Sequence, residues 1–94
     1  MSAQLEHANF TVSDPEATAA WMTRVFGWRV RWQGPAIAGG HTMHIGNDTQ
    51  YVALFTPPEG AKSGVSSYHT TGGLNHIGIV VNDLEAAEVV VKAQ

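Results

Sequence analysis

The chain contains no cysteine, so neither a disulfide framework nor a thiolate metal site is open to it. Charge is sparse: Asp, Glu, Lys and Arg make up 14% of the residues, and the net charge is −3 at pH 7. The few cations form no cluster. Nucleic-acid recognition needs a positive footprint, so no nucleic-acid partner is expected. Long apolar runs are missing as well. The longest aliphatic stretch, Ile77 to Val81, is interrupted by Gly78 and falls far short of the roughly 20 residues that span a bilayer. The first residues, Met-Ser-Ala-Gln-Leu-Glu-His, lack the basic-then-apolar pattern of a secretory signal. A soluble cytoplasmic protein is expected.

What is present is a chain of one small domain's length, 94 residues, with an ordinary apolar fraction of 44%. It is organised around a repeat. Leu5 to Thr18, Leu-Glu-His-Ala-Asn-Phe-Thr-Val-Ser-Asp-Pro-Glu-Ala-Thr, returns without a gap as Leu74 to Ala87, Leu-Asn-His-Ile-Gly-Ile-Val-Val-Asn-Asp-Leu-Glu-Ala-Ala. Leucine, histidine, valine, aspartate, glutamate and alanine coincide at His7 and His76, Asp14 and Asp83, and the matching places around them. Such an internal repeat sets the architecture before any local reading does.

Each copy reads as a strand entering a capped helix. Leu5, His7, Asn9 and Thr11 alternate with Glu6, Ala8, Phe10 and Val12, the period of a strand. Asp14 suits a helix N-cap and Pro15 the first helical position. Ala17, Ala20, Trp21 and Val25 recur at helical spacing, and Gly27 suits the left-handed stop. Trp28 to Gln33 alternates Trp28, Val30 and Trp32 with Arg29, Arg31 and Gln33, which predicts a strand of an antiparallel sheet with one wet face. The tryptophan side is expected in the core rather than lining a cavity, and Arg29 and Arg31 are expected as solvated charges on an outer face rather than as holders of an anionic substrate. Gly34 to Gly40 reads as a loop, His41 to Ile45 as a third strand, and Gln50 to Thr56 as a fourth, ended by Pro57-Pro58. Lys62 to Gly73 reads as a linker or lid, Leu74 to Asn82 as a fifth strand, and Asp83 as the cap of a last helix.

The order strand, helix, three strands, linker, strand, helix resembles the vicinal oxygen chelate superfamily of glyoxalase I, bleomycin-resistance proteins, fosfomycin-resistance enzymes and extradiol dioxygenases. The residues that carry the resemblance are the two copies of the repeat, Arg24-Val-Phe-Gly-Trp28 and Tyr51-Val-Ala-Leu-Phe-Thr-Pro57. The resemblance implies an α+β fold: one βαβββ module over about 4–58, a linker over about 59–73, and the first strand and helix of a second module over 74–94. Because the second copy breaks off inside its helix, the sequence reads as a fragment of a longer protein.

The resemblance also implies a cup with a divalent metal inside it. His7 and His76 match the first-strand ligand positions, and two neutral imidazoles suit Zn, Fe, Ni or Mn. Ala53 stands where the family places a carboxylate ligand, so that donor is missing. Asn9 and Thr11, on the His7 face, are expected with Ala53 in a substrate cavity, where they either bond a polar substrate or meet water. His41 and His44, three apart on a strand, are expected on opposite faces, and His69 in solvent. Two functions follow. One is a glyoxalase- or dioxygenase-like enzyme whose metal, held by His7 and His76, binds two neighbouring oxygens of a small substrate; no acid–base residue is identified for it. The other is a metal-free binding protein of the bleomycin-resistance type, which Ala53 favours. A homodimer is expected in either case. A swapped dimer joined through the fifth strand is a third possibility, one without activity of its own.

Overall fold

A computed structural model describes residues 2–64 and 66–94; Val65, inside the expected linker, lies outside the described residues. The expected α+β fold is what the chain adopts. Its elements are β1 (His7–Thr11), α1 (Pro15–Phe26), β2 (Arg29–Pro35), β3 (His41–Gly46), β4 (Tyr51–Thr56) and α2 (Leu84–Lys92), with short 3-10 turns at Ile37–Gly39 and Ser67–His69. No described helix is long and apolar enough to cross a membrane.

The strands form one sheet in the order β1-β4-β3-β2. The expected antiparallel pattern holds for β2 with β3 and for β3 with β4, but β1 pairs with β4 in parallel. Two reversals after α1 bring β4 back alongside β1 in the same direction. Val12 N–H donates to the Phe55 carbonyl at 2.8 Å and Tyr51 N–H to that of Glu6 at 3.1 Å, closing the two ends of this pair. At the β3–β4 turn, Asn47 Oδ1 accepts from the Thr49 and Gln50 amides at 3.0 and 3.2 Å. Gly46 is required there. A Cβ at this position would stand 2.2 Å from the Gln50 carbonyl oxygen and 2.6 Å from Tyr51 Cα.

The caps fall where the repeat places them. Asp14 accepts from the Ala17 amide at 3.1 Å and Asp83 from the Ala86 amide at 3.0 Å. Gly27 ends α1 at φ 71. The stripe of α1, however, is turned from the expected one. The buried residues are Pro15, Ala19 and Met22, whereas Ala17 and Ala20 are exposed. Met22 enters the core above the sheet and Phe26 packs against it. Val25 lies at the edge that faces Ala86, Ala87 and Val90 of α2.

The core lies between α1 and one face of the sheet: Ala19, Met22, Met43, Ile45, Val52 and Leu54, with Phe10, Val12, Trp21, Phe26, Trp28 and Ile77 packed around them. Ile45 and Leu54 are wholly buried.

Two expectations about the strands are corrected. Residues 74–82 join no ladder among the described residues, although α2 follows them where the second copy of the repeat places it. Ile77 packs on the core, but β1 presents them with no ladder partner and no strand follows alongside. The second correction concerns β2, which runs on to Pro35 through part of the expected loop.

Leu54→Ala is expected to lower unfolding free energy by about 3 kcal/mol, as for a fully buried leucine, and Asp14→Ala by about 1 kcal/mol through the lost cap. Urea denaturation checks both, and equal losses would contradict this placement of the core.

Candidate functional site

Because Val52 and Leu54 point into the core, the pleat sends Tyr51, Ala53 and Phe55 to the opposite face of β4. The register carries that face across the sheet. Ala53 lies between Asn9 on β1 and His44 on β3, and His44 pairs with Trp32 on β2. His7, Asn9 and Thr11 alternate as exposed positions with Ala8 and Phe10, which turn inward. This face has no helix over it, and the expected cavity residues Asn9, Thr11 and Ala53 all belong to it.

Rings cover it instead. His7 stacks on Tyr51 with centroids 4.8 Å apart, Tyr51 on His44 at 4.6 Å, and His44 meets Trp32 at 5.2 Å. One row therefore crosses all four strands and leaves Ala53 only 2% exposed. Trp32 itself is 51% exposed, its ring lying over Gly34, where a Cβ would come within 2.7 Å of it.

The alternation read from the sequence places Arg31 opposite Trp32. The structure corrects this: the β2–β3 register shifts between Val30 and Trp32, and the Arg31 guanidinium stands 4.5 Å over the Tyr51 ring. A bulge of this kind re-aims one side chain. Arg31 and Trp32 thus share the open face, while Trp28 joins the core rim and Val30 is 40% exposed. Arg29, by contrast, pairs with Asp48, whose carboxyl that arginine holds below its usual range.

Burial, then the neighbouring His7 and Arg31, holds the His44 imidazole below its usual 6.5. Its partner in the expected pair, His41, bonds Gln33 Oε1 at 3.2 Å on the other side of β3, as strand geometry requires. Thr42, two residues before His44 and on the same face, has a buried hydroxyl with no hydrogen-bond partner among the described residues. His69 is exposed in its 3-10 turn.

The two histidines of the expected metal pair have different surroundings. His7 Nδ1 bonds Glu6 Oε1 at 3.0 Å, and its ring lies on Tyr51. His76 is exposed and enters no hydrogen bond, ion pair or ring contact among the described residues. Its neighbours Ile77 to Ile79 wall a hollow of about 230 Å³ at the end of the sheet, to which His7 and Tyr51 also contribute. No group of three or more His, Asp or Glu side chains that could hold an ion occurs among the described residues. All four strands lack aspartate and glutamate, and Ala53 offers only a methyl. The donor chemistry of this face therefore does not fit a divalent cation.

Sequence reasoning missed Tyr51 as an open-face residue, and it set Arg31 and Trp32 on opposite faces. Tyr51 had a signal, its alternation with Val52 and Leu54. The bulge at Arg31 had none.

Compared with known families, residues 4–93 match the sequence model of the family described as the Glyoxalase/Bleomycin resistance protein/Dioxygenase superfamily. No curated protein matches the chain.

The lowered His44 value has a consequence for stability. Its contribution is complete above pH 6.5, where the imidazole is neutral in both folded and unfolded chains. As pH falls from there toward the lowered folded value, the unfolded chain takes up the proton first and stability is lost. Urea midpoints of the wild type are expected to drop across that range, and His44→Gln to drop less. An identical pH slope in the two proteins would contradict the environment assigned to His44.

Proposed function

The chain belongs to the Glyoxalase/Bleomycin resistance protein/Dioxygenase superfamily, and from that premise we propose that it is a small-molecule-binding module whose ligand lies flat on the open face of the sheet. The observation that carries this reading is the ring row from His7 through Tyr51 and His44 to Trp32. Aromatic faces favour offset stacking, and such pairs contribute about 0.5–1.5 kcal/mol beyond their buried area. Ala53 beneath the row supplies flatness, not a reactive group.

The metal-dependent alternative asks for His7, His76 and a carboxylate around one ion. Its support is the matching place of the two histidines in the repeat. Against it stand the methyl of Ala53 and strands without acidic residues. Geometry therefore favours the binding module over a lyase or dioxygenase.

A neutral planar probe, 1-naphthalenemethanol, tests the reading. Wild-type chain is expected to bind it with chemical-shift changes centred on Trp32, His44 and Tyr51. Trp32→Ala is expected to weaken binding about tenfold, the loss of one large stacking surface. Metal content is measured on the same samples after equilibration with Zn²⁺ or Mn²⁺. One retained equivalent that disappears in both His7→Ala and His76→Ala would favour the metal enzyme instead.

We further propose that the module works as a homodimer. Leu5, Val80, Leu84 and Val89 are 87, 98, 74 and 69% exposed, apolar surface that a second copy would cover. Sedimentation at micromolar concentration is expected to give a dimer, and a stable monomer would remove this part of the reading.

A further inference from the structure

The strands are one-sided in charge. β1 to β4 contain no aspartate or glutamate, and their permanent cations are Arg29 and Arg31. Arg29 is taken by Asp48 at the β3–β4 turn. Arg31 enters no ion pair among the described residues. It reaches from β2 over β3 and lies over the Tyr51 ring on β4. Glu6 is the carboxylate that reaches the ring row, at the β1 end, where it is bonded to His7.

Resting on the binding reading above, we propose that the ligand of the open face is a planar aromatic acid, its ring on Trp32 and His44 and its carboxylate on the Arg31 guanidinium. A guanidinium stacked on a ring keeps its N–H edge free, and that fork matches a carboxylate with two parallel hydrogen bonds. The bulge sets Arg31 next to Trp32 in sequence and on the same face, so one small molecule spans both. The methyl of Ala53 brings no negative charge to repel the acid. The same absence of acidic residues that makes this face unsuitable for a divalent cation makes it suitable for an anion.

Three probes of one shape separate the contributions: 1-naphthoate, the neutral 1-naphthalenemethanol, and the cationic 1-naphthylmethylammonium. Titrations of the chain are followed by amide and Arg Nε chemical shifts. Naphthoate is expected to bind about tenfold more tightly than the alcohol, the scale of one charge-assisted hydrogen-bond pair, and the ammonium most weakly. Arg31→Gln, at an exposed position, is expected to remove the preference for naphthoate over the alcohol, with Arg31→Lys restoring part of it. Equal binding of acid and alcohol by the wild type would overturn the inference and leave the aromatic-face reading standing. So would an acid preference that survives Arg31→Gln. Absence of binding by all three probes would overturn both.

Discussion

Every feature of the open face depends on the pairing of β4 on both its edges. Parallel pairing with β1 and antiparallel pairing with β3 fix which side of each strand is which. Val52 and Leu54 settle the matter by entering the core under α1, where Leu54 is wholly buried. Tyr51, Ala53 and Phe55 then have no choice of side. A slip of one residue would exchange the two sets and bury a tyrosine hydroxyl where a valine now sits. Strong burial on one face thus specifies the register that the ring row on the other face relies on.

Much of this frame is legible in the residues themselves. Asp14, Asp83 and Gly27 act locally: a side-chain oxygen within reach of free amides, or a residue without a Cβ, needs no tertiary partner to show its role. The alternation of β1 is equally local, and it separated His7, Asn9 and Thr11 from Ala8 and Phe10. What escapes a linear reading is whatever another element decides. The rotation of α1 toward Ala19 and Met22 is set by the shape of the sheet below it. The ladder of residues 74–82 needs a neighbour, and apolar alternation cannot supply one. The bulge at Arg31 is fixed by the match of β2 to β3, so the pattern Trp28-Arg29-Val30-Arg31-Trp32 looks regular when it is not.

The histidines show the same division. His41 and His44 fall on opposite faces because strand geometry alone requires it. The relation between His7 and His76 depends instead on how two distant segments meet. His7 is engaged by Glu6 and Tyr51, whereas His76 stands exposed beside the hollow formed by its neighbours. A matched place in a repeat gives two residues equivalent positions in the two copies. It does not by itself place two side chains within the short reach of one metal ion.

The charge pattern and the bulge have a single physical outcome. With no acidic residue on any strand, the sign of the open face is decided by which cations turn toward it. Arg29 lies opposite Gly46 and Val30 opposite the core residue Ile45, so alternation from them carries Arg31 onto the open face, and the register shift adds Trp32 to that same face. The Arg31 guanidinium there lies over the Tyr51 ring. The guanidinium in turn disfavours a second positive charge nearby, which is part of why His44 resists protonation. One irregular step in β2 therefore sets a guanidinium and an indole side by side on one face of the sheet.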